Sequence, residues 1–425
     1  MKKQIFTLSI ILSVIVVWAQ EPGGIHPSLA GKGIVITPLS TADNEANSMA
    51  IQKDGKIVVA GYSNTDFAIV RYNVDGTLDP GFGKKGIVKT SLHCGDEHTS
   101  AVAIQPDGKI VVAGSTNNGT ANDFAVIRYN ENGVLDPSFG NGGIVITSIH
   151  DGNDNASALA IQPDGKIVVA GSSNNGSNYD FALIRYNPNG SLDFAFGMKG
   201  IVLIDFRHGD DQVSAVAIQA DGKIVVAGYS NTDLALARFK PNGSLDAAFG
   251  KGGKVVTSIG SGEDEASAIS LQPDGKIVVA GSSNNGLNFD FAVVRYNANG
   301  SLDPTFGKEG IAITFIRNGD DQATSVAMQT DGKIIAGGSS NNGSNFDIAL
   351  IRYLPNGKLD PDFGTNGIVI TDISNGDDHA NAIGIQTDGK IVAAGNTNNG
   401  SSNDFAIIRY KENGIADPDF GIGRK

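Results

Sequence analysis

Cysteine is almost absent from this sequence, since Cys94 is the only one among 425 residues. A single cysteine cannot form an intramolecular disulfide, so a packed core must stabilise the fold. Tryptophan is equally rare, and the one tryptophan, Trp18, lies in an N-terminal hydrophobic segment. The sequence therefore lacks the Trp-Asp dipeptides that mark one large class of repeat proteins.

Positive charge is also in short supply. Lysine and arginine number 32 against 45 aspartates and glutamates, which gives a formal net charge of -13. An acidic surface of this kind repels phosphate backbones and anionic membrane surfaces. We therefore predict no nucleic-acid partner for this protein.

Long hydrophobic runs are missing beyond the N-terminal segment. Residues 5–18 form the one such run, two lysines precede it, and the small residue Ala19 follows it. This arrangement predicts a secretory signal peptide at residues 1–19 and a short linker at residues 20–30. An uncleaved membrane anchor is the alternative, but the run is shorter than the roughly 20 residues that span a bilayer. We expect a mature chain that does not insert into a membrane and is secreted, periplasmic or located at the cell surface.

The sequence is rich in repetition. The motif Gln-x-Asp-Gly-Lys occurs seven times, with 53 or 57 residues from one copy to the next. A repeat of this length is typical of a four-stranded unit that buries its faces only against its neighbours. The seven copies occupy residues 52–56, 105–109, 162–166, 219–223, 272–276, 329–333 and 386–390.

Each repeat contains four predicted strands, which we label A to D. In the second repeat, the alternating segment 100–105 predicts strand A and the apolar run 110–114 predicts strand B. Segment 123–129 predicts strand C, and the β-branched run 143–149 predicts strand D. No helical periodicity follows the N-terminal segment, so the mature chain is predicted to be all-β, with 28 strands in seven repeats.

One repeat is divided between the two ends of the chain. The seventh repeat ends without strand D, whereas residues 33–39 match the strand D residues 143–149. A linear array has no reason to divide a repeat in this way, but a ring can close by letting the first strand complete the last sheet. We therefore predict a single domain at residues 31–425, a seven-bladed β-propeller of four-stranded blades closed by an N-terminal strand.

Several motifs resemble the delta-60 repeat family, which consists of exported bacterial propeller-like repeats. The resemblance is carried by residues 162–167, 170–174, 181–186 and 302–307, which read QPDGKI, AGSSN, FALIRY and LDPTFG. It extends over essentially the whole mature chain and implies the propeller fold. It implies no activity, because the family offers no catalytic motif to transfer to this sequence.

Residues that recur in every repeat are predicted to be structural. Asp-Gly pairs such as 107–108 suit the positive φ of a tight turn between strands A and B. The recurring arginine of strand C, such as Arg128, is predicted to lie between blades and to be satisfied by a carboxylate or by main-chain carbonyls. A binding ring of seven arginines is the alternative. The recurring Phe-Gly pair, such as 139–140, is predicted to pack between blades.

The repeats differ in the loops from strand D to the next strand A, and from strand B to strand C, which a propeller places on one face. The D-to-A loops carry acidic pairs that would suit Ca²⁺, the one cofactor we predict, and histidines that would suit a transition metal. The competing interpretation, which we favour, treats the acids as solvated turn residues or as caps where a strand begins. The predicted metal ligands are Asp96, Glu97, His98, Asp210, Asp211, Asp320, Asp321, Asp377 and Asp378.

The densest group of metal-binding residue types is segment 93–98, where Cys94 lies between His93 and His98. Zinc sites normally need four ligands in a tetrahedral arrangement, and a nucleophilic cysteine needs a base on a rigid frame. We therefore favour neither role for this loop.

Two B-to-C loops are shorter than the others and begin with a tyrosine, Tyr62 in the first repeat and Tyr229 in the fourth. An aromatic ring beside amides and carboxylates is a surface that sugars prefer, although each tyrosine could simply fill the space left by the short loop. The predicted ligand-binding residues are Tyr62, Tyr229, Asn174, Asn175, Asn284 and Asn341.

Three functions follow from this pattern. We favour an exported, non-catalytic binding or adhesion scaffold whose loop-rich face contacts a polysaccharide or a cell-surface protein. A metal-assisted hydrolase or lyase on the same face is the second hypothesis, since propellers host such chemistry, and a purely structural surface element is the third.

Overall fold

The computed structural model describes residues 31–92 and 95–422. The predicted signal peptide and linker, together with His93 and Cys94, lie outside the described residues, so the predictions made for them stay predictions. The described residues form 28 β-strands. Within these two ranges there is no helix with the length and apolar character needed to cross a membrane.

The strands, in chain order, are β1 (Ile34–Thr37), β2 (Asn44–Ile51), β3 (Ile57–Ser63), β4 (Asp66–Tyr72), β5 (Ile87–Thr90), β6 (Glu97–Ile104), β7 (Ile110–Asn117), β8 (Asn122–Tyr129), β9 (Ile144–Thr147), β10 (Asp154–Ile161), β11 (Ile167–Asn174), β12 (Tyr179–Tyr186), β13 (Ile201–Ile204), β14 (Asp211–Ile218), β15 (Ile224–Ser230), β16 (Asp233–Phe239), β17 (Lys254–Thr257), β18 (Asp264–Leu271), β19 (Ile277–Asn284), β20 (Phe289–Tyr296), β21 (Ile311–Thr314), β22 (Asp321–Met328), β23 (Ile334–Asn341), β24 (Phe346–Tyr353), β25 (Ile368–Thr371), β26 (Asp378–Ile385), β27 (Ile391–Asn398) and β28 (Asn403–Tyr410).

These strands form seven antiparallel sheets of four strands each. Blades 1 to 6 are each built from four consecutive strands, beginning with β2 to β5 and ending with β22 to β25. Blade 7 joins β26, β27 and β28 to the N-terminal strand β1, in which Ile34 pairs with Ile408 and Thr37 with Phe405. The predicted seven-bladed propeller, and its closure by the first strand, are therefore confirmed.

The first strand of each blade lies nearest the axis, since each of these A strands contacts the A strands of both neighbouring blades. Strands B and C carry the core. In blade 2, the segments 110–113 and 124–127 are fully buried, because the neighbouring blades cover both faces of the sheet. Val111 packs in one cluster with Ile167 of the next blade, so aliphatic side chains from consecutive blades share each interface.

A glycine in the middle of each B strand allows strand A to approach closely. A β-bulge between Ala156 and Ala158 brings the main-chain oxygen of Asn155 to 2.0 Å from where a Cβ on Gly171 would stand. Any side chain there would clash with the backbone of strand A. The equivalent glycines make the same contact, and they are Gly61, Gly114, Gly228, Gly281, Gly338 and Gly395.

The recurring arginine of strand C connects consecutive blades. In blade 2, Arg128 Nε donates to Asp136 Oδ2 at 2.8 Å, and its terminal nitrogen Nη1 donates to the main-chain oxygen of Pro188 in blade 3. The guanidinium also lies over the ring of Phe139, 4.6 Å from the ring centre. We call this group of arginine, aspartate, phenylalanine and neighbouring carbonyl the inter-blade brace. It confirms the predicted structural roles of the arginine and of the Phe-Gly pair.

All seven blades contain this brace. The arginines are Arg71, Arg128, Arg185, Arg238, Arg295, Arg352 and Arg409, and their aspartates are Asp79, Asp136, Asp193, Asp246, Asp303, Asp360 and Asp417. The last of them closes the ring, since Arg409 of blade 7 donates to the main-chain oxygen of Val74 in blade 1. The lysine of the Gln-x-Asp-Gly-Lys motif completes the charge balance, as Lys109 Nζ lies 3.2 Å from Asp136 Oδ2.

We expect the brace to make the fold sensitive to acid. Burial opposes ionisation of Asp136, but hydrogen bonds from Ser138 and Lys109 and the charge of Arg128 lower its pKa to about 2. A carboxyl with a lowered pKa stabilises the fold at neutral pH, and this contribution is lost as the pH falls from about 4 towards 2. The pKa values of the equivalent carboxyls shift in the same direction, and these are Asp79, Asp193, Asp303, Asp360 and Asp417.

Thermal unfolding at a series of pH values tests this expectation. The unfolding temperature should fall steeply below pH 4, and Asp136→Asn should lower stability at pH 7 by about 2 kcal/mol while making the acid loss less steep. Asp107→Asn, in the exposed turn of the same blade, is the matched control and should leave the acid slope unchanged. Equal slopes for the wild type and Asp136→Asn would contradict a role of this carboxyl in acid unfolding.

Ring closure gives a second expectation. Removal of residues 1–38 deletes β1 and leaves the outer edge of β28 without a partner, whereas removal of residues 1–30 leaves every described strand in place. The first truncation should unfold at a lower temperature and should associate as its concentration rises, because an open strand edge pairs with other chains. Light scattering after size exclusion measures the association. A monomer with unchanged unfolding temperature would show that β1 is dispensable.

Candidate functional site

The loops from D to A and from B to C form one face of the ring, which we call the loop face. The second acid of most D-to-A loops begins strand A and caps the loop before it. In blade 3, Asp154 Oδ2 accepts hydrogen bonds from the main-chain nitrogens of Ile149 at 2.6 Å and His150 at 3.3 Å, while Ser173 donates to Oδ1. The first of these main-chain bonds recurs in four other blades, where the acceptors are Asp211, Asp264, Asp321 and Asp378.

The first acid of the pair reaches back to the preceding blade. Asp210 Oδ1 accepts from the main-chain nitrogen of Tyr179 at 3.0 Å, where strand C of blade 3 begins. Asp320 and Asp377 make the same contact with Phe289 and Phe346. The second acids are therefore caps where strand A begins, one of the two roles in the favoured interpretation, whereas the inter-blade contacts of the first acids were not predicted. That these acids bind a metal ion stays a prediction.

The acidic segment of blade 2 keeps the cap but differs in its first acid. Asp96 is exposed, whereas Glu97 is buried and accepts a hydrogen bond from the main-chain nitrogen of Leu92 through Oε1. His98 lies with its ring edge-on to Tyr62, at 5.1 Å between ring centres. Of the three residues predicted as ligands here, His98 is thus the one that faces the notch of blade 1.

The structure brings carboxylates together in two places that sequence reasoning missed. Asp180, Asp205 and Asp211 meet where blade 3 adjoins blade 4, and Asp347, Asp372 and Asp378 meet where blade 6 adjoins blade 7. In each group, one carboxylate oxygen from every residue lies within 4.8 Å of the other two.

A sequence signal for these two groups existed. The residue directly after strand D is an aspartate in blades 3 and 6, Asp205 and Asp372, whereas the other blades have serine, phenylalanine or proline there. The aspartate that joins from strand C, Asp180 or Asp347, recurs in every repeat and so carried no special weight.

Both predicted tyrosines lie in notches of the loop face. The short B-to-C loops turn through asparagines in the left-handed region, Asn64 at φ 59° and Asn231 at φ 55°. Tyr229 lines a cavity of about 260 Å³ together with Asn231, Thr232, Glu263, Asp264 and Glu265. Burial and the nearby acids, Glu265 foremost, raise the pKa of Tyr229 to about 12, so its phenol stays protonated at neutral pH and can donate a hydrogen bond.

Glu265, one of the acids that line the cavity beside Tyr229, also has a shifted pKa. Burial, with the neighbouring charge of Glu263, raises the pKa of Glu265 above its usual range. In the notch of blade 1, burial and a hydrogen bond with Glu45 raise the pKa of Tyr62. Each notch therefore combines a half-buried aromatic ring with a carboxylate and an amide.

The four predicted asparagines shape their own loops. The Oδ1 atoms of Asn174, Asn284 and Asn341 accept from main-chain nitrogens two residues further on, at 2.7 to 2.8 Å, while the Nδ2 atom of Asn175 donates to Asp180 at 2.9 Å. These contacts hold the long loops in one conformation. Their predicted role in ligand binding is not tested by them.

The copies differ most at the second position of strand A, next to the axis on the loop face. Glu45, His98, Glu265 and His379 occupy this position in blades 1, 2, 5 and 7, and neutral amides occupy it in the others. The Nδ1 atom of His379 lies 3.0 Å from the Ser339 hydroxyl, and burial lowers its pKa although Asp377 and Glu45 act in the opposite direction. Ionisable side chains therefore occupy this position in the three consecutive blades 7, 1 and 2, and also in blade 5.

Comparison with known proteins agrees with this architecture. The sequence profile of a family described as a beta-propeller domain of unknown function, DUF5122, matches more than half of the chain. The matched segments are residues 52–82, 105–139, 162–196, 219–249, 272–306, 329–363 and 386–420. Among curated protein sequences, none matches the chain.

Solved structures share the fold at low sequence identity. Virginiamycin B lyase from Staphylococcus aureus is 12% identical, with a TM-score of 0.54 over 89% of this chain and 98% of its own. A catalytically inactive variant of that enzyme with quinupristin is 13% identical, with the same TM-score of 0.54 over 88% of this chain and 98% of its own. A streptogramin B lyase is 12% identical, with a TM-score of 0.49 over 89% and 97%. Similarity at this level shows the fold alone.

The capping role of the acidic pairs leads to a test on Asp154. Asp154→Ala leaves two main-chain nitrogens and the Ser173 hydroxyl without their acceptor, and should cost about 1 to 3 kcal/mol in the free energy of unfolding. Asp154→Asn keeps one acceptor oxygen and should cost less. Urea unfolding of both variants in the presence of a chelator measures the difference. Equal loss for alanine and asparagine would contradict the cap.

Proposed function

The chain belongs to the DUF5122 beta-propeller family, and we propose that it is an exported, non-catalytic binding scaffold whose loop face takes a polysaccharide. We also propose that its repeats are of the delta-60 type, because they contain motifs such as LDPTFG at residues 302–307. Export rests on the N-terminal segment, which has the charge and hydrophobic pattern of a secretory signal.

The observation that carries the proposal is the notch at Tyr229. A half-buried phenol next to Asn231, Glu263 and Glu265 offers a ring for stacking together with hydrogen-bond donors and acceptors. The cavity of about 260 Å³ is smaller than the roughly 300 to 1,000 Å³ of pockets for drug-sized ligands, so it suits a single sugar unit of a longer chain. The second notch, at Tyr62, offers a further contact on the same face, which would raise the affinity for a polymer.

The negative charge of the notch at Tyr229 indicates which glycans can bind there. Glu263 and Glu265 place negative charge beside Tyr229, and the chain as a whole carries a net charge of -13. Uronate and sulfated polysaccharides would be repelled by this charge, whereas neutral or amino sugars would not. We therefore propose neutral or amino-sugar polysaccharides as ligands, with a cell-surface protein as the alternative partner.

A catalytic function is the second candidate, favoured by the group around Tyr62. Its phenol is hydrogen-bonded to Glu45 and its ring lies 5.1 Å from that of His98, so an acid, a phenol and an imidazole share one notch. Such groups can transfer protons in the cleavage of a sugar chain. Incubation of the protein with a panel of polysaccharides, with reducing ends and unsaturated products measured, separates cleavage from binding. Products that disappear in Tyr62→Phe would replace the scaffold proposal by an enzyme.

Binding of the scaffold is tested with variants at the blade 4 notch. Calorimetry with neutral and amino-sugar oligosaccharides should give an affinity that Tyr229→Ala lowers about tenfold, which corresponds to roughly 1.4 kcal/mol. Phe194→Ala is the matched control, because Phe194 is an aromatic residue that is 71% exposed in the C-to-D connection, on the opposite face. Equal affinity in wild type and Tyr229→Ala, or binding confined to uronates, would contradict the proposed site.

A further inference from the structure

The three carboxylates between blades 3 and 4 have the spacing of a divalent-cation site. One oxygen each from Asp180, Asp205 and Asp211 lies within 4.8 Å of the others. Oxygens that bind Ca²⁺ stand at about 2.3 to 2.6 Å from the ion, so two ligands of one ion can be up to about 5 Å apart. The three aspartates therefore fit around a single Ca²⁺.

Two of the three carboxylates are buried, and one of them has an oxygen without a hydrogen bond. Asp180 is 9% exposed and Asp211 is fully buried, and the Oδ1 atom of Asp180 has no hydrogen-bond partner among the described residues. An unpaired buried carboxylate is strongly unfavourable, so the arrangement lacks a positive partner.

The other oxygen of each carboxylate is held in place. Asn175 donates to Asp180 Oδ2 at 2.9 Å, the main-chain nitrogen of Phe206 donates to Asp211 Oδ2 at 2.7 Å, and that of His208 donates to Asp205 Oδ1 at 2.6 Å. These bonds fix all three side chains before any ion arrives. A site prepared in this way loses little conformational entropy on binding.

The cations of the protein itself are engaged elsewhere. Arg207 pairs with Asp233 at 3.0 Å, and Lys254 donates to the main-chain oxygen of Asp205 at 2.6 Å. The exposed ring of His208 lies 2.7 Å from Asp205 Oδ2 and is charged only when protonated. The unpaired Oδ1 atom of Asp180 receives no hydrogen bond from these groups.

In the corresponding group between blades 6 and 7, an arginine of the protein compensates the carboxylates. Arg317 donates to Asp347 Oδ2, and the hydroxyl of Thr397 donates to Asp378 Oδ1 at 2.5 Å. A protein cation already compensates that group, although Asp372 is placed like Asp205. The blade 3–4 group has no such arginine at Asp180.

We propose that Asp180, Asp205 and Asp211 bind one Ca²⁺ ion between blades 3 and 4, on the loop face. Of the residues predicted from the sequence as metal ligands, this set contains Asp211 but not its neighbour Asp210. The other two members are Asp205, earlier in the same loop, and Asp180, near the start of strand C of blade 3. The site stands independently of polysaccharide binding.

Thermal unfolding of the full chain tests the site. After removal of divalent ions with a chelator at pH 7.5, added Ca²⁺ should raise the unfolding temperature by several degrees, because a ligand that binds only the folded state stabilises it. Mg²⁺ should raise it less, since that ion gives up its bound waters reluctantly and is rarely held by protein carboxylates alone. Equilibrium dialysis with radioactive calcium should find one ion per chain.

Variants separate this site from the rest of the acidic surface. Asp211→Asn and Asp205→Asn should abolish both the bound ion and the temperature rise, while Asp378→Asn, at the matched position between blades 6 and 7, should keep them. Asp211→Asn can still accept the hydrogen bond from Phe206, and circular dichroism checks its fold. If that variant fails to fold, the calcium response of Asp205→Asn decides the test, because Asp205 is only partly buried.

Two outcomes would overturn the proposal. In the first, Ca²⁺ changes neither the unfolding temperature nor the dialysis result of the wild type, or Asp378→Asn loses the response as completely as Asp211→Asn. In the second, the metal-free protein becomes more stable as the pH falls from 7 to 5 and Ca²⁺ adds nothing, which would mean that Asp211 and its neighbours share a proton and bind no ion.

Discussion

The inter-blade brace is the interaction on which the rest of the propeller depends. Each arginine is almost fully buried, and it is compensated by an aspartate of its own blade while it donates to a carbonyl of the next blade. A buried charge pair contributes little net stability, but removal of either partner is costly. The brace therefore sets the distance and angle between blades, and the apolar side chains of strands B and C then fill the interface at that geometry.

The ring shape follows from repetition of this contact. Seven copies in succession bring blade 7 back to blade 1, where Arg409 reaches Val74 and β1 completes the last sheet. The brace lies on the face of the A-to-B turns and C-to-D connections, whereas the inter-blade contacts of the loop face come from single aspartates such as Asp210. Loop length and charge can vary there without disturbing the interface between blades.

The loop face shows how a repeated frame can hold unequal sites. The acidic pairs have the same two tasks in most blades, a cap for strand A and a contact to the preceding strand C. Small local changes, an aspartate after strand D or a shortened B-to-C loop, turn some of these junctions into groups with unpaired charge or an accessible aromatic ring. Asp205 is the residue that distinguishes the first case, and Tyr229 the second.

The sequence by itself determined the strands, their number, the closure of the ring and the structural nature of Arg128 and Phe139, because each depends on local periodicity or on a motif repeated seven times. It also indicated that Tyr62 and Tyr229 would lie in notches, since loop length is visible in the chain. Only the tertiary structure decided that Asp180 meets Asp205 and Asp211, and that Asp210 turns away to cap strand C of the preceding blade. The physical reason is that these contacts join different blades, and the distance between two carboxylates across an interface depends on how the blades pack and not on the spacing of the residues in the chain.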